Sequence, residues 1–387
     1  MLRVGQKEAD AIAKVLMSGK IFRYHIGEQC ARFERRYARY LGVKYVQMTS
    51  SGTTALTAAL VGLGIGPGDE VIMPACTYMA TAVSVLGAGA IPVIVDIDES
   101  ITIDPAAVDA AVGPRTRAVI PVHMWGLSCD MGAIMRVARR RRLLVVEDAC
   151  QSIGGGYRGR KLGSIGHAGG FSFNYYKNMT CGEGGAVVTR DAKAAERARC
   201  MIDCCNFYWN GRKAGQRPFI SNGSRASELE GAMMNVQLDR LDGMIRALRR
   251  QKKRILRETA GTPLKPIRAN SLDHECGSHV MYVLPTGPQA DEFARLTGGT
   301  VAGKTGRHVY TEWDPIFARR GAHHRALDPF HLPANRRCRR NYTKSMCARS
   351  LDILSRTVML GNHPDRKRGE VTARIRKIKS AAAAVLG

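Results

Sequence analysis

At 387 residues the chain exceeds what one hydrophobic core ordinarily organises, so a large domain with a smaller companion is expected. Hydrophobic residues at 45% and charged residues at 24% exclude the disordered and fibrous classes. With 59 Lys and Arg against 33 Asp and Glu, the net charge is +26, a field that attracts nucleic acid, membrane surfaces and acidic small molecules alike. No run nears the roughly 20 apolar residues of a membrane helix, and the first residues lack the apolar core of a signal peptide, so a cytoplasmic location is expected. The 11 cysteines are scattered, with Cys204 and Cys205 adjacent and no Cys-x-x-Cys pair, which suits reduced structural thiols rather than a zinc site or secreted disulfides. The basic runs 139–142, 249–254 and 366–368 read as solvated helix faces and ends.

From about residue 41 to 190 short apolar runs alternate with helical stretches, the pattern of a doubly wound sheet with parallel strands. Candidate strands are 45–48, 70–73, 92–95, 118–122, 143–146, 170–173 and 186–189, with helices between them. Asp104 before Pro105 reads as a helix cap. Ser227 and Glu230 form a capping box that opens a long amphipathic helix carrying Leu229, Met233, Val236, Leu241, Met244, Ile245 and Leu248, ending in basic residues near Gly261. The expected division is 1–250 for the large domain and 251–387 for the small one.

The apolar run Leu143-Leu144-Val145-Val146 ends in Glu147-Asp148, placing an acid at the carboxyl end of a buried strand, where open α/β sheets bind ligands. Asp148 there either caps the next helix or holds a pyridine nitrogen protonated. The stretch Ser50-Ser51-Gly52-Thr53-Thr54-Ala55-Leu56 follows a strand and opens a helix, so its small residues suit either a phosphate at the positive helix end or an ordinary turn. Lys177 lies among aromatics in Phe171-Ser172-Phe173-Asn174-Tyr175-Tyr176-Lys177-Asn178, ahead of Gly182-Glu183-Gly184-Gly185. Most lysines are solvated, but a desolvated amine has a lowered pKa and attacks aldehydes to form Schiff bases.

Together these pieces resemble the DegT/DnrJ/EryC1/StrS family of sugar and cyclitol aminotransferases that use pyridoxal phosphate. The resemblance also runs through Gly27, Phe33-Glu34, Gly66-Pro67-Gly68-Asp69-Glu70-Val71, Val122-His123-Met124-Trp125-Gly126 and Glu147-Asp148-Ala149-Cys150-Gln151, covering roughly residues 1–240, with a looser match beyond. It implies a type I aspartate-aminotransferase-like α/β fold: a mostly parallel doubly wound sheet in a large cofactor domain, then a smaller C-terminal α+β domain. It implies that Lys177 is the Schiff-base lysine, that Asp148 partners the pyridine nitrogen, and that Gln151 lies near the ring hydroxyl. Gly52, Thr53 and Ser172 would hold the phosphate, and Tyr78 would stack on the cofactor ring, although a core tyrosine is the plain alternative. Family members commonly carry Asn two residues before Arg225, reaching the phosphate of the other subunit. Gly223 stands there instead, and Asn222 is the candidate after a one-residue shift. A homodimer with shared active sites is also implied.

The implied reaction takes an amino group from L-glutamate or L-glutamine and passes it to a keto sugar, keto cyclitol or related carbonyl compound in specialised-metabolite or surface-sugar biosynthesis. Lys177 would serve as acid and base for the proton shifts. Relatives that dehydrate keto sugars typically carry His at the lysine position, so Lys177 argues against that rival. A basic nucleic-acid-binding regulator would need a recognition module, and the sequence has none. His323, His324, His331 and His363 have no carboxylate or thiol at ligand spacing, so no metal site is expected. This tail and the loop 206–217 are candidates for substrate selection, and the excess of Arg suggests an acidic substrate.

Overall fold

In the computed structural model, which describes residues 4–24, 26–204, 206–209 and 218–387, the main sheet has seven strands. They are β1 (Tyr45–Thr49), β2 (Glu70–Pro74), β3 (Ile91–Val95), β4 (Thr116–Val119) and β5 (Leu144–Asp148), then, beyond a small hairpin of β6 (Gly156–Tyr157) and β7 (Arg160–Lys161), β8 (Ala168–Ser172) and β9 (Gly185–Thr189). Across the sheet the order is β1-β9-β8-β5-β4-β2-β3. Helices Ala80–Gly87, Pro105–Ala110 and Met131–Arg141 return the chain for the parallel strands β2 to β5. Asp104 caps the second of these by accepting the Ala106 N–H at 2.8 Å.

One strand departs from the expected parallel run. β9 is antiparallel to β8 and to β1. A parallel return needs a crossover of about a dozen residues or more, usually a helix. Residues 173–184 form turns and no helix, so the chain comes straight back as a neighbour. The loop that carries Lys177 is the connection that reverses the strand.

Both faces of the sheet are buried, as alternation along a strand requires. Val71, Met73 and Val146 feed one core, and Ile72 and Val145 feed the other. The second core takes Phe33 and Tyr37 from helix Gln29–Leu41 and Leu241, Ile245 and Leu248 from helix Glu228–Thr259. The first takes Tyr310, Trp313 and Phe330, so part of the C-terminal third covers the main sheet. A second, antiparallel sheet consists of β10 (Lys265–Pro266), β11 (His279–Val283), β12 (Thr300–Val301) and β13 (Thr357–Gly361) in the order β10-β11-β13-β12. It packs on helices Gly287–Thr297 and Arg368–Leu386 through Val280, Tyr282, Phe293, Leu360 and Ile375. No helix among the described residues is long and apolar enough to cross a membrane.

The long helix Glu228–Thr259 starts at the expected capping box: Ser227 Oγ accepts the Glu230 N–H at 3.3 Å, and the Glu230 carboxylate takes the Ser227 N–H. Position 250 lies within it. Leu241, Met244, Ile245 and Leu248 are buried as the spacing predicts, but Leu229, Met233 and Val236 are only half-buried. Gly231 accounts for the rotation, since a Cβ there would lie 2.5 Å from the Cys30 amide nitrogen. Backbone contact at Gly231, and the Glu228 carboxylate accepting the Cys30 N–H at 3.2 Å, turn that face toward helix Gln29–Leu41. The basic run 139–142 is exposed, as expected for a helix end. Run 249–254 is not uniformly so: Lys252 is buried and pairs with buried Glu275 at 2.6 Å, while Arg249 Nε donates to the Glu275 carbonyl at 2.6 Å. Removing one partner of a buried pair strands the other charge. Lys252→Met is therefore expected to destabilise the fold by about 3–5 kcal/mol, read from the urea midpoint, and Lys252→Met/Glu275→Leu to recover most of it.

Candidate active site

Alternation at the end of β5 separates two adjacent acids. Glu147 faces the second core, fully buried, and accepts N–H groups from Gly163 at 2.8 Å, Ile165 at 2.5 Å and Gly166 at 2.6 Å. His123 Nδ1 accepts the Cys129 N–H at 3.2 Å, so the ring proton sits on Nε2, which donates to Glu147 at 2.9 Å. Asp148 points the other way, into a cavity of about 530 Å³ at the carboxyl end of the sheet. Its Oδ2 accepts the Thr81 hydroxyl at 2.8 Å and its Oδ1 the Cys150 N–H at 3.1 Å, and Thr77 Oγ1 lies 2.7 Å from Thr81 Oγ1. Asp148 caps no helix; it is a buried carboxylate aimed into the cleft.

β1 delivers the second wall. Ser51 caps helix Gly52–Gly62 by accepting the Thr54 N–H at 3.1 Å. The N–H groups of Gly52 and Thr53 make no hydrogen bond among the described residues and border the cavity. A Cβ on residue 52 would lie 2.7 Å from the Ser172 Cβ and 3.0 Å from the Cys150 sulfur, so only glycine lets the helix start settle against β8. Two free amides at the positive end of a helix dipole, beside the Ser172 hydroxyl, form an anion cradle.

Lys177 reaches the same cavity from the turn after β8, where its N–H donates to the Asn174 carbonyl at 3.0 Å. The strand-like pairing of Phe173 with Gly184 and of Tyr175 with Gly182 holds the loop open, and Asn178 Nδ2 ties it to the Ile153 carbonyl at 2.9 Å. The aromatics flanking Lys177 do not desolvate it. Phe171 and Phe173 sit in the second core, and Tyr175 and Tyr176 are 53% and 79% exposed.

Of the residues singled out from sequence, Gly52, Thr53, Tyr78, Asp148, Gln151, Ser172 and Lys177 all line this one cavity. Asn222 does not; it is exposed in the extended segment before helix Glu228–Thr259. In the candidate selection loop, 206–209 is a helical turn, and 210–217 lie outside the described residues. Gln151 Oε1 accepts the Trp125 N–H at 3.3 Å. Trp125 sits at φ 51°, a left-handed backbone that a bulky side chain rarely adopts, and its carbonyl is clamped by Ser278 Oγ at 2.8 Å and His279 Nδ1 at 3.0 Å. Trp125, Ser278, His279, Arg307 and His308 also line the cavity, and none was assigned a role from sequence. Only Trp125 carried a signal, within the run from Val122 to Gly126.

One strongly basic stretch lies away from the cavity. Residues 319–349 hold nine Lys and Arg against one acid, Asp328. The middle of this segment is fixed to the amino end of the sheet, where Arg339 Nε donates to Glu70 at the start of β2 at 2.9 Å and Asn335 Nδ2 to the Gly89 carbonyl ahead of β3 at 2.9 Å, while Arg349 at its end bonds Glu99 and Asp104 beyond β3. The cavity is at the carboxyl end of the sheet. Within it, cationic Lys177 and Arg307 face the acids Asp148 and Glu183.

A model of the DegT/DnrJ/EryC1/StrS aminotransferase family matches residues 3–379. The chain belongs to that family. Membership extends through the C-terminal third, where the sequence motifs thin out. The chain is 42% identical over 230 residues to a GDP-perosamine synthase of Caulobacter vibrioides, a match covering 58% of this chain and only 60% of the synthase. It is 35% identical over 364 residues to the L-glutamine:2-deoxy-scyllo-inosose aminotransferase of Streptomyces lividus, covering 84% and 83%. The X-ray structure of an aminotransferase from Psychrobacter cryohalolentis superposes with a TM-score of 0.82 at 26% identity, over 99% and 98% of the two chains.

Burial, reinforced by the cations of Arg307 and Lys177, pushes His308 down to about 4, and burial likewise pushes His279 down to about 4. In the unfolded chain both imidazoles titrate near 6.5. Their depressed folded values favour the fold above about pH 6.5 and cease to do so as pH falls toward 4, because the unfolded chain then binds more protons. The urea midpoint is expected to drop between pH 7 and pH 5, and the drop to be smaller in His279→Asn/His308→Asn.

Proposed function

We propose that the protein is a pyridoxal phosphate-dependent aminotransferase that moves an amino group from L-glutamate or L-glutamine onto a ketone of a sugar or cyclitol. The observation that carries this reading is the convergence, on one cavity, of an amine, a buried carboxylate and an anion cradle from three distant stretches of chain. The relative named for L-glutamine and 2-deoxy-scyllo-inosose aligns over most of both chains and supports a ring ketone as acceptor.

The residues fit the cofactor. Gly52 and Thr53 amides and the Ser172 hydroxyl would hold its phosphate, Asp148 would keep a proton on its ring nitrogen, and Tyr78, 45% exposed at the cavity, would cover the ring. When bound, pyridoxal phosphate supplies the carbonyl that accepts the amino group and a ring that takes up the electron pair of the substrate carbon. Asp148 contributes a fixed negative charge, oriented by Thr81 and the Cys150 N–H. Lys177 Nζ would hold the cofactor covalently and, once freed, would serve as the base and acid that moves a proton within the cavity. Gln151, its carbonyl oxygen engaged by the Trp125 N–H, would offer its NH₂ to the ring hydroxyl. A homodimer in the cytoplasm belongs to the same reading: the exposed Tyr175, Tyr176 and Asn222 would meet a second copy, with Asn222 contributing to that copy's phosphate site.

The purified protein is expected to be yellow, and borohydride to fix the cofactor on the peptide containing Lys177. Lys177→Ala should lose that label and slow amino transfer by about 10²–10⁴-fold. A normal covalent cofactor signal in Lys177→Ala would sink the assignment. Gly52→Val, which drives a side chain into Ser172, is expected to weaken cofactor binding by about 10–100-fold in equilibrium dialysis, the loss of one charge-assisted hydrogen bond or more.

A further inference from the structure

His308 has no part in the chemistry above, yet its position in the cavity is fixed from both sides. Its carbonyl accepts the Thr77 N–H at 3.0 Å, the Arg307 carbonyl accepts Trp313 Nε1–H at 3.1 Å, and Tyr310 N–H donates to the Ala75 carbonyl at 3.0 Å. The segment thus runs beside residues 75–79, with Val309 bridging Cys76. The imidazole lies between two aromatic rings, 5.8 Å from Tyr78 and 5.7 Å from Trp125. Its Nδ1 is buried beside the Thr305 backbone, which leaves Nε2 as the nitrogen open to the cavity. A ligand that displaces water from Nε2 must supply a donor in its place, because a bare acceptor shut away from water is costly.

We propose that His308 determines acceptor specificity by taking a hydrogen bond from a ring hydroxyl of the ketone, whose C–H faces lie against Tyr78 and Trp125. Aromatic walls around one neutral polar atom suit a ring with apolar faces and a polar edge, which is the chemistry of a polyhydroxylated six-membered ring ketone. The imidazole stays neutral at pH 7, because burial and the cations of Arg307 and Lys177 oppose its protonation. It therefore keeps one acceptor and one donor nitrogen. A ketone lacking the hydroxyl leaves that nitrogen bare, and sites built this way reject such analogues. This inference rests on the aminotransferase reading.

The test uses the cofactor-loaded protein with L-glutamine or L-glutamate as donor and a panel of keto cyclitols and keto sugars that includes 2-deoxy-scyllo-inosose. On the best acceptor of the wild type, His308→Phe, which keeps the ring and loses both nitrogens, is expected to lower kcat/KM by about 10–100-fold, mainly through KM. His308→Gln, whose amide reaches the position of Nε2, should recover most of the loss. His308→Phe within about threefold of the wild type, equal losses in both variants, or a loss confined to kcat would each overturn the proposal. A wild type that binds the cofactor but aminates no ketone in the panel sinks the functional reading, and this inference with it.

Discussion

Glu147 is the constraint on which the site depends. A carboxylate shut away from water is tolerable only when its oxygens are fully engaged. Here three backbone N–H groups from the turn before β8 and the His123 ring proton supply the partners. The cluster locks the carboxyl end of β5 to the approach of β8, so that Asp148 lies opposite Gly170, with Ser172 two residues further along and the Lys177 turn soon after. The neighbouring acids thus divide the work. One is spent on rigidity, so the other can stay exposed to the cleft without letting its strand end fray.

The glycine-start helix at Gly52, the acid at the end of a Val-rich run and the lysine before the glycine cluster were legible because each is a local pattern: a few consecutive residues whose chemistry makes sense only at the end of a strand. The reversal of β9 was not, because a strand's direction is set by what the intervening loop can reach rather than by the strand's own residues. The rotation of the long helix at Gly231 was hidden for a similar reason, since a glycine reads as a weak helix former until another backbone is found against it. Lys252 in a basic run looked solvated because nothing nearby in sequence announces Glu275.

Arg307 and His308 mark the largest gap. They reach the cleft only because residues 307–310 pair with residues 75–79, a register that neither stretch reveals alone. Charge placement was hidden in the same way. Composition gives the net charge, but not that Arg339 reaches Glu70 at the start of β2 while Arg349 reaches Glu99 and Asp104 beyond β3.

That pairing across some two hundred residues also sets a schedule. Contacts between stretches so far apart form late, after the loop between them has closed. During synthesis the cofactor-facing half can gather its strands early, but the wall with Arg307 and His308 must wait until the chain has been made well past Trp313, whose indole anchors it. A nascent chain could thus be folded around Asp148 and Lys177 while the cavity still lacks the wall that Arg307 and His308 supply.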